Sequence, residues 1–243
     1  MSVWLCCPSA RPVAEVNARM DKWRAMGYKI ALWRDHFDQG IVADIIFAER
    51  GYPGFYVACN NLILDCLIYN SDCDWMVCAG DDTDPDPTKT AGEIERECTE
   101  HFVNPHPRKF NPGTFGVMQP TGHRWGDKQG AYIDRVAGSP WIGREFARRV
   151  NGGKGPWWPE YFHQFGDEEL QAVATKLGVF WQRPDLTHFH QHWGLPLPGQ
   201  TIGHKSSMPP FLAKANSPEH WRQYKALFEA RKAAGFPGHE VIA

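Results

Sequence analysis

Through its first 80 residues the chain alternates short apolar runs with helical ones, and each change is marked by a turn-forming segment. Val3–Cys7 is an apolar run ended by Pro8-Ser9-Ala10-Arg11-Pro12, which predicts a buried strand entering a loop. Val13, Val16, Met20, Trp23 and Met26 recur at helical spacing, and Gly27 supplies the stop. Lys29–Trp33 reads as a second strand followed by Arg34-Asp35, and Ala43–Ala48 as a third. After Gly51-Tyr52-Pro53-Gly54, residues Phe55–Tyr69 read as an apolar helix, and Trp75–Ala79 as a fourth strand. This alternation predicts an α/β fold with a mostly parallel, Rossmann-like sheet and right-handed crossovers. Ligands of such sheets bind beyond the carboxyl ends of the strands, where the fourth strand runs into Gly80-Asp81-Asp82-Thr83-Asp84.

The second half is less regular. Thr90–Phe102 reads as a helix, Phe115–Gln119 as a strand, Trp141–Val150 as a helix and Gly152–Pro156 as a mobile loop. Asp167–Leu177 reads as a helix, and Val179–Trp181 and Thr187–Trp193 as extended. An amphipathic helix closes the chain from Glu219 to Ala234. The expected organisation is a catalytic domain over 1–200, with 201–243 a C-terminal loop and helix packing on it. With 42% hydrophobic and 22% charged residues the chain is expected to fold, and a net charge of −2 excludes an overall polycation. No run approaches the ~20 apolar residues of a membrane span, and the N-terminus lacks a secretory pattern, so a cytoplasmic location is expected. Seven cysteines without a C-x-x-C pair read as reduced, buried thiols.

Three segments carry chemistry. In Asp82-Thr83-Asp84, carboxylates two apart at a strand end can aim at one cation, and hard oxygen ligands suit Mn or Mg. The plain alternative is a solvated acidic turn. In Gly166-Asp167-Glu168-Glu169-Leu170, Asp167 is either a general base or an acid that complements a helix dipole. In Thr187–Trp193, alternation along a strand puts His188, His190 and His192 on one face, a pattern suited to metal binding. From these residues three classes stay open: a metal-dependent transferase, a metal-dependent hydrolase or nucleotidyltransferase, and a zinc-containing nucleic-acid-binding module.

The order of these parts from Val3 to Trp193 resembles the GT-A glycosyltransferases, in particular family 2-like and polypeptide-GalNAc-transferase-like members. The resemblance implies a metal-dependent transfer of sugar, with inversion, from a nucleotide-sugar (a UDP-sugar) to a hydroxyl acceptor. It implies that Pro8, Ser9 and Arg11, with Asp35 after the second strand, hold the nucleoside, and that Asn60 of Ala58-Cys59-Asn60-Asn61 meets the nucleobase. It implies that Asp82 and Asp84 hold Mn or Mg, with His188 or His190 completing the shell, and that Lys205 closes over the diphosphate. Asp167 matches the base of the family's Glu-Asp-x-x-Leu pattern, and Gly166 departs from it by standing where the Glu is expected. The segments Gln119–Trp125 and His188–Trp193 resemble phage-encoded glycosyltransferases that decorate hydroxymethylated pyrimidines in DNA. That likeness implies a DNA acceptor gripped by basic residues such as Arg144, Arg222, Lys225 and Arg231, with Trp125, Trp141, Trp157 and Trp158 as stacking surfaces.

Overall fold

A computed structural model describes residues 2–104, 111–120, 138–190, 210–239 and 241. The first half follows the alternation of the sequence: β1 (Ser2–Pro8), α1 (Val13–Ala25), β2 (Lys29–Arg34), β3 (Ile45–Ala48), α2 (Phe55–Tyr69) and β4 (Cys73–Cys78). Then come β5 (Thr83–Asp84), α3 (Ala91–Phe102), β6 (Val103–Asn104), β7 (Asn111–Pro112), β8 (Val117–Pro120), β9 (Trp141–Gly143) and α4 (Arg144–Arg149). The chain continues through α5 (Gly166–Lys176), β10 (Phe180–Arg183), β11 (Phe189–His190), α6 (Pro210–Ala215) and α7 (Pro218–Ala233).

The fold is mixed α/β around a seven-stranded, mostly parallel sheet of order β10-β8-β9-β4-β1-β2-β3. β1 runs parallel to both β2 and β4, so the chain leaves β1 towards one edge and later returns on its other side. That reversal makes the carboxyl ends of β1 and β4 the switch point, the place where the ligand crevices of such sheets lie. Side-chain alternation sorts the core onto two faces. Trp4, Cys6, Trp33, Met76 and Cys78 pack under α2 and α5, while Val3, Leu5, Cys7, Trp75 and Val77 pack under α1 and α3. Helix α2 buries Cys59, Leu62, Ile63 and Cys66, an i, i+3, i+4, i+7 stripe. All seven cysteines are free and buried, as their apolar reading expects. Among the described residues no helix is long and apolar enough to cross a membrane.

Several local expectations are corrected. Trp141–Val150 is not one helix: Trp141–Gly143 form β9, an antiparallel strand between β4 and β8, and only Arg144–Arg149 are helical. Three residues are too few for a periodicity to be read, and a neighbouring strand on each side decided the matter. The Gly152–Pro156 segment is tied down rather than loose, because Asn60 donates to the Trp157 carbonyl at 2.8 Å and accepts from its N–H at 3.2 Å. Gly155, at φ 96°, lets this loop lie against the Asn60 amide, which a Cβ would meet at 2.5 Å. Trp141 and Trp157 are buried in the core and cannot stack on a ligand. Trp125 lies outside the described residues. Of Thr187–Trp193, only Phe189–His190 forms a strand among the described residues.

Candidate functional site

The crevice between β1 and β4 is built from two loops that brace each other. After β1, the Ser9 hydroxyl donates to Asp81 Oδ2 at 2.6 Å, and Arg11 Nε lies 3.1 Å from Asp81 Oδ1. Beneath them, the buried Arg34 guanidinium donates to the Ser9 carbonyl at 2.8 Å and pairs with Asp38. Burial pushes the Asp81 carboxyl above its ordinary range, against the opposing pull of Arg11 and Ser9. Asp81 is therefore the bracing acid that ties the first loop to the second, and its neighbour Asp82 meets His190 instead. Gly80 leaves the room: a Cβ there would lie 2.6 Å from Asp82 Oδ1.

Asp82 Oδ2 lies 3.1 Å from His190 Nε2, brought together because β5 and β11 pair antiparallel with Thr83 opposite His190. Asp84 goes elsewhere. Its carboxylate meets Arg19 at 3.3 Å and Lys22 at 2.7 Å on α1, so two cations already neutralise it. His188 also leaves the group, because it is buried, with Nδ1 3.0 Å from the Ser139 hydroxyl and its ring edge-on to Trp23. Burial lowers its pKa to about 4, so it stays neutral at neutral pH. Two residues apart in the chain, His188 and His190 part company because the ladder at this point is only two residues long, too short to enforce alternation. Among the described residues no three His, Cys, Asp or Glu side chains converge as a complete cation site. The arrangement is a pair, Asp82 with His190, rather than the set of four that includes Asp84 and His188.

Asp167 stands in the first turn of α5. Its Oδ1 accepts from the Glu168 N–H at 3.0 Å and from the Tyr56 hydroxyl at 3.1 Å. His163, which spacing gave no means of singling out, lies within electrostatic reach of Asp167, Asp82 and His190. Burial holds its imidazole below the usual range, and Nδ1 has no hydrogen-bond partner among the described residues. Glu168, beside the acid, is pushed up to about 7 by burial and by the charge of Asp167. Both residues lie close to Asp167 in the chain, and only that nearness could have flagged them.

The remaining expected residues divide plainly. Ser9 and Arg11 both hold Asp81, with Pro8 closing β1 behind them. Asp35 is turned to the surface, where it pairs with His36 Nδ1 at 2.5 Å. Asn60 is not available to a nucleobase, since its amide is consumed by the Trp157 backbone on both sides. Lys205 lies outside the described residues.

No protein-family model matches the chain, and no curated protein matches it. Solved structures of similar outline include the catalytic domain of Drosophila β1,4-galactosyltransferase 7 with xylobiose. It is 13% identical, with 84% of this chain and 70% of that one covered at a TM-score of 0.47. A variant of that enzyme with manganese, UDP-Gal and xylobiose is 12% identical, covering 90% and 82% at 0.44. The galactosyltransferase LgtC, with donor and acceptor sugar analogues, is 12% identical, covering 75% and 73% at 0.37.

Proposed function

We propose that the protein is a GT-A-type glycosyltransferase that moves a sugar from a nucleotide-sugar to a hydroxyl acceptor with inversion. The observation that carries this reading is the Asp82–His190 pair beyond the carboxyl end of β4, with Asp167 close enough that His163 feels the charge of all three. Asp82 pairs with His190, and Asp167 keeps Oδ2 uncommitted among the described residues. The donor set of Asp82 oxygen and His190 nitrogen fits Mn or Mg, with the diphosphate of a UDP-sugar and water supplying the rest. Bound there, the cation would offset the negative charge that develops on the departing diphosphate. Ser9 and Arg11 would hold the nucleoside end. Asp167 Oδ2 takes the proton of the acceptor hydroxyl as its oxygen bonds the anomeric carbon. The bond from that carbon to the diphosphate breaks, and the nucleoside diphosphate leaves.

The test is incubation with a panel of nucleotide-sugars and Mn, scored for donor hydrolysis and transfer. One donor should be consumed, and chelation should stop it. No consumption of any donor overturns the reading. The finer reading of the acceptor, a hydroxymethylated pyrimidine in DNA, rests on the sequence resemblance alone. Of the basic residues it invoked, Arg222 and Lys225 are exposed on α7, while Arg231 is buried in an ion pair and Arg144 spends its guanidinium on carbonyls at the end of α2.

A further inference from the structure

We propose that Tyr56 is the positioning residue of the Asp167 base, gripping it by backbone and side chain at once; this rests on the reading of Asp167 as base. Tyr56 stands in the first turn of α2, far from Asp167 in sequence, and is buried. Its ring packs against Phe55, Trp157 and Tyr161, contacts a phenylalanine would also make. The hydroxyl serves other ends. It receives the Asp167 N–H at 3.3 Å, one of the amides that a helix start leaves without an internal partner. It donates to Asp167 Oδ1 at 3.1 Å and lies 3.2 Å from the His163 carbonyl, which competes for the same proton.

Three features of the chain make this approach possible. Gly166 carries no side chain, and a Cβ there would lie 2.6 Å from Tyr56 Cε2. The departure from the family pattern at Gly166 is thus the space that the Tyr56 ring occupies. Phe165 enters the helix at φ 70°, a conformation that bulky residues rarely adopt and that surrounding structure must hold. Burial, reinforced by the neighbouring Asp167 charge, pushes the phenol well above its ordinary range, so the proton remains on the oxygen as a donor. With Oδ1 taking the Tyr56 hydroxyl and the Glu168 N–H, Oδ2 is the oxygen left to face the acceptor. Fixing one oxygen orients the other, and a misplaced catalytic group by about 1 Å can cost ~100-fold in rate.

The experiment is a double-mutant cycle of Tyr56→Phe and Asp167→Asn, read by turnover, by calorimetric donor affinity and by melting temperature. Tyr56→Phe should lower kcat by roughly 10- to 100-fold while leaving donor affinity within about twofold. In the Asp167→Asn background it should cost nothing further, because the group it orients is gone. Full turnover of Tyr56→Phe beside an inactive Asp167→Asn overturns the positioning role and leaves the base in place. A loss that multiplies in the double variant marks a structural role and also overturns it. Normal turnover of Asp167→Asn removes both the base and its positioning. Should Tyr56→Phe fail to fold, Gly166→Ala displaces the same ring from the other side. It should then lower kcat in the parent and not in Asp167→Asn.

Discussion

Asp82 and Asp84 are identical side chains two positions apart, and their surroundings give them different work. Asp84 is held by Arg19 and Lys22, whereas Asp82 meets His190. Asp82→Asn or His190→Ala should therefore weaken Mn-dependent donor binding by at least about tenfold, ~1.4 kcal/mol, in calorimetry. Asp84→Asn should leave that affinity within about twofold, and should cost only the ~0–1 kcal/mol of a surface ion pair in stability. Equal losses in both carboxamide variants would restore Asp84 to the cation. Glu168 gives a second residue-scale expectation. Its folded pKa is raised to about 7, so the folded state holds the proton more tightly than the unfolded chain. Its contribution is fully present below the unfolded carboxyl value and is lost as pH rises through about 7. Glu168→Gln should match the parent below pH ~4.5 and exceed it above ~7; if solvent screening leaves about 1 kcal/mol, Tm rises by ~2–4 °C. A Tm difference independent of pH would show that the Glu168 charge is not destabilising.

Between elements, the decisive contact is the clamp of α7 onto α5. The buried Glu169 accepts from Arg231 Nη2 at 2.6 Å and from the Tyr161 hydroxyl at 2.7 Å, and lies 2.7 Å from His239 Nε2. The Arg231 guanidinium also lies 3.6 Å over the Trp158 ring. Burial alone would raise the Glu169 carboxyl, but the hydrogen bonds from His239, Arg231 and Tyr161 hold it below its ordinary range. Removing one partner strands the other charge in the core, so Arg231→Ala should cost ~3–5 kcal/mol, seen as a lower urea midpoint. Replacing both charges, Arg231→Met with Glu169→Leu, should recover most of that loss, because no unpaired charge is left behind. A loss below ~1 kcal/mol in Arg231→Ala would mean that Glu169 is satisfied without α7. Since α5 also carries Asp167, this clamp ties α7 to the element that bears that acid.

For the whole molecule, a net charge of −2 leaves any grip on a polyanion to local patches. If DNA is the acceptor, transfer to hydroxymethylated oligonucleotides should fall log-linearly with salt. Arg222→Ala with Lys225→Ala should then flatten the slope by ~0.9 for each phosphate that is no longer neutralised. Donor hydrolysis without DNA should be far less salt-sensitive, and salt-independent transfer would point away from a DNA backbone. Mass spectrometry of the digested nucleosides reads the product. How much of all this was legible follows from range. Strands β1, β2 and β4 and helices α1 and α2 were legible because each buries its own apolar run or stripe, and that pattern is a local property of the chain. The acid at the end of β4 was legible for the same reason, since strand direction alone places it beyond the sheet. Where the chain's partners lie far away, the sequence was silent. Trp141–Gly143 became a strand because β4 and β8 flank it, and His188 turned into the core because Trp23 and Ser139 surround it. Asn60 met a loop instead of a base, and Tyr56 met Asp167 across 111 positions. Local periodicity is written residue by residue, so the sequence by itself determined the parallel strands of the first half, the helices between them and the acids offered beyond β4. Which acid meets His190, which imidazole joins Asp82 and what holds Asp167 depend on packing between distant segments, and that only the tertiary structure decided.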